Sequence, residues 1–300
     1  MGITQFNRAI QLRLGTLILD SSRAGPSQLR IAFEVNRDTT RYPNHASVQV
    51  WNLNLGSRAR LEYELPNPLG VANVSLRVGY GLGMLDEIFL GQLRTVDSVH
   101  EGTDWVTTCT SGDSDAEVNF ASVNQSFAPG TPLVAVFTAL AKALKINPGN
   151  LAAAAAAAKT SGGAVLSRGL NLSGNAADAL DSVCDACGYS WTIQNGTLQI
   201  TWAAYPAHPT PLALISPQTG LIRARIVRVQ DTDKTTGLAV TRKQLEGRCL
   251  MLPGLVPGRM FSMTSEAATG LFVCTQTKHT GDTHGTGDSW VVDFTAEELG

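Results

Sequence analysis

An alternation of apolar and polar residues, with a period of two, dominates the first third of the chain. Every second residue from Leu29 to Val35 is apolar in QLRIAFEVN, as in a half-buried β-strand. The same alternation recurs in ASVQVWNL, VANVSLRVGY, DEIFLGQLRTVDSVH and DWVTTCTSG. Between two of these strands, NLGSRARLEYEL suits a short helix with Asn54 or Ser57 as its N-cap. We predict an antiparallel β domain with one small helix over residues 1–115.

The middle of the chain changes to a helical period. Apolar residues three or four positions apart define one helix face, at Leu133, Val136, Phe137, Leu140 and Leu144. We expect Thr131 to cap this helix, with Pro132 at its first position. A second stripe, in NAADALDSVCDACG, is predicted to start at Ser173 or Asn175 and to end at Gly188.

A hairpin completes this middle region. Asn195-Gly196 stands between two alternating runs, a strong hairpin signal. Residues 116–204 are therefore predicted to form a small α+β domain of two helices and a hairpin. Seven consecutive alanines, 152–158, favour helix but offer little side chain to pack, so we expect a partly helical, exposed excursion.

The last part of the chain returns to strands. A proline-rich stretch, 205–220, is interpreted as a linker. Alternating runs follow in GLIRARIVRVQ, LAVTRKQLEG, RCLMLPG, RMFSMTSEA, GLFVCTQTKHTG and SWVVDFTAEE. We predict that residues 221–300 form a second antiparallel β domain and that it shares the fold of residues 1–115.

Composition narrows the classes of function. Only 16% of the residues are charged, below the usual quarter, which suggests that much of the surface lies against other protein. The formal net charge of -2 argues against a protein whose binding to nucleic acid is driven by phosphate contacts. No apolar run is long enough to cross a bilayer, and the N-terminus lacks the pattern of a signal peptide. We expect a chain made in the cytoplasm, without a membrane anchor.

The glycine-rich stretch TGDTHGTGDSW raises the question of a metal site. Histidine and carboxylate ligands at His279, Asp282, His284 and Asp288 would suit several transition metals. Gly and Asp are also turn-forming residues, and the stretch lies between two strand-like runs. We interpret it as a hairpin loop and predict that residues 279–288 bind no metal or nucleotide.

Other candidate chemistry is equally open to a structural interpretation. Cys184 and Cys187 form a CxxC motif, but no further pair of zinc ligands lies nearby, and the motif falls late in a predicted helix. We expect two small buried residues, with all five thiols reduced. Asp113 and Asp115 in SGDSDAE could form a carboxylate pair, but we expect a solvated loop. No nucleophile with a base and no phosphate-binding loop is evident, so we predict no catalytic residues, no cofactor and no enzymatic activity.

Ordered motifs along nearly the whole chain resemble the baseplate hub proteins of long-tailed bacteriophages. The N-terminal motifs are NHASVQVWNLNLGSRARLE, LRVGYGLGMLDEIFLGQLRTV and CTSGD, and the middle motif is LSGNAADALDSVCDACGYSWTIQNGTLQI. The C-terminal motifs are SPQTGLIRARIV, CLMLPGLVPGRMFSMTS and GLFVCTQTKHTGDTHGTGDSWVVDFTAE. Arg223, Met251 and the alanine run depart from the family pattern.

The resemblance implies a mainly β fold with an α+β insertion, built from two tube-like antiparallel β-barrel or sandwich domains and a small helix-helix-hairpin domain. It implies a homotrimer whose pseudo-hexameric ring joins a hexameric tail tube to a trimeric spike or tip. The expected partners are the tail tube protein, the spike or tip protein, other baseplate proteins and the tape measure protein, with DNA as passing cargo. The expected location is the tail baseplate of the virion, after assembly in the host cytoplasm.

Three alternatives stay open at this stage. The chain could be the hub of a phage-tail-like bacteriocin or contractile injection device, a tail-associated metal-dependent or cell-wall hydrolase, or a glycan- or receptor-binding β module. The resemblance also raises a question about Arg223, Arg225 and Arg228, because arginines on a channel wall would attract the phosphates of passing DNA. We predict that these three point away from the channel, toward acidic partners.

Overall fold

The computed structural model describes residues 7–21, 29–64, 73–81, 84–154, 165–201, 212–232, 239–287 and 289–299. These fall into two compact units. The first unit takes the described residues of Met1–Asp38, His45–Ser111 and His208–Gly300, and the second takes those of Thr39–Asn44 and Gly112–Ala207.

The described part of the chain has more strands than helices, and the strands contain more of its residues. The strands are β1 Arg8–Leu14, β2 Leu17–Asp20, β3 Ile31–Asp38, β4 His45–Trp51, β5 Asn73–Tyr80, β6 Met84–Glu101, β7 Asp104–Gly112, β8 Ser122–Phe127, β9 Leu170–Asn175, β10 Ser190–Gln194, β11 Thr197–Thr201, β12 Leu214–Ile215, β13 Leu221–Thr232, β14 Ala239–Leu250, β15 Met260–Thr264, β16 Thr269–Asp282 and β17 Trp290–Glu298. The helices are α1 Leu55–Glu64, α2 Asp115–Phe120, α3 Leu133–Ala143 and α4 Ala176–Cys187, with a 3-10 turn at Pro217–Thr219. The prediction of a mainly β fold with an α+β insertion is confirmed.

The first unit is organised around one large sheet. Its strand order is β13-β14-β17-β16-β3-β4-β7-β6-β5-β1-β2, and β15 pairs with both β16 and the short β12. The long strand β16 joins the two parts of the chain, because it pairs antiparallel with β17 on one side and with β3 on the other. The segments predicted as separate β domains, 1–115 and 221–300, therefore contribute to a common sheet. That they are two copies of one fold stays a prediction.

Alternation along these strands buries one face of the sheet. Residues 31–38 alternate strictly between buried and half-buried positions, so every second side chain enters a shared apolar core. Two glycines are required by close packing in this core. A Cβ added to Gly281 would lie 2.2 Å from the ring of Phe33, and one added to Gly247 would lie 2.2 Å from the ring of Phe294.

The second unit combines the helices α2, α3 and α4 with two two-stranded sheets, β8-β9 and β10-β11, and has its own core. All five apolar residues of the predicted stripe on α3 are buried. The side chain of Asn175 caps α4 by accepting hydrogen bonds from the backbone amides of Ala177 and Asp178. Gly188 ends the helix with a φ of 70°. Asn195 and Gly196 both have positive φ, 52° and 69°, and they connect β10 to β11 as the sequence predicts.

Some local predictions need correction. Thr131 does not cap α3: Pro132 occupies the N-cap position, and the Thr131 hydroxyl instead donates to the Ala128 carbonyl at 2.7 Å. Ser173 lies within β9, so the start of α4 belongs to Asn175 alone.

Other expectations are met only in part by the described residues. The cap of α1 is Asn54, whose side chain accepts from the Ser57 amide. Of the alanine run 152–158, the first three residues are helical and the others lie outside the described residues. Of the predicted linker 205–220, residues 205–211 lie outside them as well, while part of the remainder forms β12. Among the described residues, no helix has the length and apolar character to span a membrane.

Candidate functional site

The three candidate metal ligands of the 279–288 stretch that the structure describes, His279, Asp282 and His284, do not converge. His279 pairs in register with Val35 on β3 and Val292 on β17, and its side chain is fully buried on the core face. Asp282 lies three residues along the same strand, so its side chain lies on the opposite face of the sheet. His284 is exposed, and Asp288 lies outside the described residues.

The buried environment of His279 opposes protonation. Burial in the core, and then the positive charge of nearby Arg37, lower the pKa of the imidazole to about 3, while the Leu252 backbone acts weakly in the opposite direction. Arg37 is itself buried and donates to the Ile88 carbonyl at 2.8 Å. His279 is therefore a neutral core residue near neutral pH.

Asp282 is committed to an ion pair and a turn. The guanidinium of Arg30 donates to its carboxylate through two nitrogens, at 3.2 and 2.8 Å, and the backbone amide of His284 donates at 2.9 Å. Burial works against the charged form of Asp282, but these donors outweigh it and lower the pKa of the carboxyl group. The carboxylate therefore stays ionised and holds the turn.

A second arginine fixes the rest of the loop. Nη1 of Arg8, at the start of β1, donates to the carbonyls of Asp282 and Gly285 at 3.0 and 2.7 Å and to Oγ of Ser289 at 2.8 Å. Its guanidinium also lies 5.8 Å from the ring centre of Trp290. The stretch is thus a hairpin loop held by two arginines from distant parts of the chain.

The CxxC motif lies at the end of α4 and differs partly from expectation. Cys184 is buried, as predicted, but Cys187 is exposed, so the prediction of two buried residues is wrong for Cys187. Burial raises the pKa of all five thiols of the chain, which disfavours the thiolate needed for metal binding or redox chemistry. Among the residues that the structure describes, no three His, Cys, Asp or Glu side chains are grouped so as to hold a metal ion.

The expectation of a solvated loop at SGDSDAE is wrong for Asp113. Asp113 is buried, and its carboxylate accepts from the backbone amides of Asn195 and Gly196 at 2.6 and 3.0 Å and from Oγ of Ser114 at 2.9 Å. These two amides belong to the β10–β11 turn. Asn44 supports the same hairpin by donating to the Ile193 carbonyl at 2.8 Å. The buried acid is a structural clamp for the turn.

The remaining candidates, Arg223 and Arg225, lie on the polar face of the sheet. Arg225 donates to Glu246 on β14 at 2.6 and 2.8 Å. Arg223 lies opposite Arg248 in the ladder, and both face Asp293 of β17, at 3.6 Å for Arg223 and 2.7 Å for Arg248. Acids of the same chain therefore neutralise these arginines.

This polar face continues across several strands. Lys278 on β16 is the register partner of Asp293 and forms an ion pair with Glu34 at 2.8 Å. Between the charged side chains lies a partly open cavity of about 340 Å³, lined by Gln276, Lys278 and Thr295 as well as by the arginines. Exposed ion pairs of this kind add little stability. Their effect is to keep this face of the sheet polar and nearly neutral.

Sequence reasoning missed the long-range partners of these side chains. The hydrogen bonds of Arg8 span more than 270 residues, and those from Asn195 to Asp113 span 82. No local pattern encodes such pairings. A partial signal in the sequence is the presence of opposite charges at polar positions of alternating strands, such as Arg225 and Glu246. These charges can be matched only when the register of the two strands is known.

Comparison with known proteins assigns the fold. No family model matches the sequence, and no curated protein matches it. Solved structures do match. The 43 kDa tail protein of prophage MuSo2 from Shewanella oneidensis has a TM-score of 0.62 at 11% identity, with 98% of this chain and 97% of that chain covered. A tail protein from Neisseria meningitidis has a TM-score of 0.61 at 11% identity with the same coverage.

A component of a bacterial secretion machine has a related fold. The Escherichia coli c3393 protein, described as a component of the type VI secretion system with structural similarity to the T4 tail proteins gp27 and gp5, has a TM-score of 0.54 at 10% identity. The match covers 96% of this chain and 77% of that one. The chain therefore has the fold of phage tail proteins, and its resemblance to tail hub proteins is confirmed at the level of the fold.

Proposed function

We propose that this chain is a structural hub protein of a phage tail baseplate. The observation that carries the proposal is the match to two phage tail proteins over nearly the full length of both chains. A match of that extent includes the small α+β unit as well as the large sheet, so the whole architecture is common to them. The proposed role is assembly, and no enzymatic activity is proposed.

In this proposal three copies form a ring with a central channel. The ring joins the tail tube to the spike or tip protein, contacts other baseplate proteins and the tape measure protein, and lets DNA pass. It resides in the virion tail after assembly in the host cytoplasm. The large sheet supports this role, because its path ends in β13 at one edge and β2 at the other, and open edges favour association with another chain. Rotational symmetry would place identical contacts at every interface.

The charge distribution is compatible with a DNA conduit. The net charge of the chain is -2, and Arg223 and Arg225 are paired with acids of the same chain. A channel wall with unpaired arginines would hold phosphates and slow DNA passage. We keep the proposal that Arg223, Arg225 and Arg228 do not line the channel. For Arg228, which lies on the opposite face of β13 from the other two, it rests on the argument about phosphates alone.

A second candidate is the hub of an injection device that carries no DNA. The similarity to the type VI secretion component favours it. The two candidates share the same ring and differ in their cargo. Genes for a capsid and a DNA-packaging enzyme near the gene for this chain would support the phage tail, and tail genes without them would support the injection device.

The decisive experiment combines mass and shape. Native mass spectrometry of the 31.8 kDa chain, alone and with the tube and spike proteins encoded beside it, should give a species of three copies. Electron cryo-microscopy should show a threefold ring with a central channel and with the three arginines off its wall. A chain that stays monomeric in the presence of both partners would refute the hub assignment. Arginines on the lumen wall would refute their predicted orientation.

A further inference from the structure

The hairpin formed by β13 and β14 extends beyond the rest of the sheet. Strand β14 pairs with β17 only from Leu245 to Leu250, but it pairs with β13 out to Ala239. The part from Val227 and Gln244 outward is therefore a two-stranded ribbon. Together with the end of the three-stranded region beside it, which includes Ile226, we call it the basic ribbon (described residues of 222–230 and 239–245). Two-stranded ribbons are marginally stable in water unless something packs against them.

One face of the basic ribbon combines like charges with exposed apolar surface. Arg228 and Lys243 lie directly opposite each other in the ladder, an arrangement that is unfavourable on its own. Ile226 lies two residues from Arg228 on the same face and is 43% exposed. Within the described parts of the chain, neither Arg228 nor Lys243 takes part in an ion pair.

The same sheet shows what resolves such a pair. Arg223 and Arg248 are also directly opposite each other, and there Asp293 accepts from Arg248 and lies 3.6 Å from Arg223. A carboxylate is therefore the chemical complement of two cations on this sheet. The Arg228–Lys243 pair has the same geometry, and its complement is an acid beside an apolar residue.

That complement exists on another ribbon of the same chain. The hairpin of β6 and β7, here called the acidic ribbon (residues 95–106), contains three acids and no Lys or Arg. Asp97, Val99 and Glu101 alternate along β6 and so share one face. All three are exposed, and Val99 is 46% exposed. Contacts between the hydroxyls of Ser98 and Thr107 fix the register of the hairpin.

We propose that the basic ribbon of one copy binds the acidic ribbon of a second copy of this chain. Arg228 and Lys243 face Asp97 and Glu101, and Ile226 packs against Val99. The contact joins two different surfaces, so it repeats head to tail, and three copies related by a threefold rotation close a ring. That a ring exists rests on the proposed function. The contact between the two ribbons is the interface that we infer within that ring.

A second copy fits these observations better than a nucleic acid does. Phosphates would satisfy Arg228 and Lys243 but would leave Ile226 and Val99 in water. The acidic ribbon carries both kinds of group that the basic ribbon calls for, carboxylates for Arg228 and Lys243 and an exposed apolar side chain for Ile226. Opposite charges at the rim of such a contact select the partner and its register.

Charge reversal tests the interface in the full-length chain. Arg228→Glu with Lys243→Glu should weaken self-association by at least about 100-fold, and Asp97→Lys with Glu101→Lys should do the same. The variant carrying all four changes should associate again, because the charges are complementary in reverse. Matched controls with the same change in charge are Lys142→Glu with Lys145→Glu, and Glu62→Lys with Asp86→Lys. Both control pairs lie on exposed positions and should associate as the wild type does.

Cross-linking gives an independent measurement that does not depend on charge. A chain with Val99→Cys and Ile226→Cys, in a Cys187→Ser background that removes the exposed native thiol, should form disulfide-linked oligomers on mild oxidation. Each single-cysteine variant should give dimers at most. Sedimentation velocity and non-reducing electrophoresis report the two results, and circular dichroism shows that each variant is folded.

The outcomes separate this inference from the proposed function. A trimer that resists both charge reversals and gives no cross-link would overturn the ribbon interface while leaving the hub assignment in place. A monomer under all conditions, including with tube and spike proteins, would overturn both. Loss of binding to labelled DNA in the Arg228 and Lys243 variant, with unchanged self-association, would show that the basic ribbon serves nucleic acid instead and would also overturn the interface.

Discussion

At the residue scale, neighbours in sequence have opposite roles because strands alternate. His279 and Asp282 look like parts of one ligand set in the sequence, but β16 places the imidazole in the core and the carboxylate on the polar face. The imidazole of His279 is neutral because burial away from water disfavours its charged form. The carboxylate of Asp282 is ionised because it is paired with Arg30. Identical reasoning explains why a motif of His and Asp in a strand is weak evidence for a metal site.

The buried imidazole should make stability depend on pH. The pKa of His279 is about 3 in the folded protein and about 6.5 in an unfolded chain. The unfolded state therefore takes up a proton first, so the stabilisation is complete above pH 6.5 and is lost as the pH falls toward 3. Between pH 7 and pH 5 the free energy of unfolding should fall by about 2 kcal/mol from this residue.

Denaturant titrations at several pH values measure this effect. In His279→Gln the fall between pH 7 and pH 5 should be smaller than in the wild type by about that amount. His284→Gln, at an exposed position, is the control. An unchanged pH slope in His279→Gln would show that the imidazole is not held neutral in the core.

The same geometry predicts that residues 279–288 bind no metal. His279 is inaccessible on the core face, and Asp282 is already engaged by Arg30. Elemental analysis after dialysis against zinc or manganese should show no stoichiometric ion dependent on His279 or His284. About one equivalent of metal that disappears in His279→Ala or His284→Ala would contradict the prediction.

At the scale of the element, β16 connects the N-terminal and C-terminal strands of the first unit in one sheet. It pairs with β3, β15 and β17, and its last residues pack beneath aromatic rings. Phe33 and Trp290 meet edge to face at 5.5 Å, and both rings lie over Gly281. Because β16 has a strand on each side, its backbone at Gly281 cannot shift freely, and an added Cβ would overlap the two rings packed against it.

Gly281→Ala should therefore destabilise the protein by about 1–3 kcal/mol, the usual cost of overpacking a core. The Cβ would lie 2.2 Å from the Phe33 ring and 2.8 Å from the Trp290 ring. Gly56→Ala is the control, because Gly56 is in helix α1 with its nearest contact at 3.4 Å, and alanine favours a helix. Chemical denaturation measures both. A Gly281→Ala variant as stable as the control would mean that the rings move aside without loss.

At the scale of the whole molecule, the sequence predicts local structure far better than it predicts partners. The Asn195-Gly196 hairpin, the Asn175 cap and the Gly188 helix end follow from backbone preferences of a few residues. The burial of Asp113 does not, because its partners are backbone amides 82 and 83 residues away. The junction of β16 with β3 is beyond local patterns for the same reason.

Two separate cores should give two unfolding transitions. The apolar cluster of the first unit contains no residue of the second unit's cluster, so each unit can lose its packing by itself. Differential scanning calorimetry at fixed protein concentration should resolve two transitions. Gly281→Ala should lower only the transition of the first unit. Asp113→Ala should lower only the transition of the second unit. The loss in its free energy of unfolding should be about 1–3 kcal/mol, because two buried turn amides lose their acceptor.

The assignment can be checked by the size of each shift. A loss of 1 kcal/mol lowers the midpoint by roughly 4–8 °C in a domain of about 100 residues, so the effect of Asp113→Ala on the second unit is measurable. Asp185→Ala, an exposed acid on α4, is its control and should leave both midpoints unchanged. A single transition that both Gly281→Ala and Asp113→Ala shift equally would show that the two cores unfold as one cooperative body.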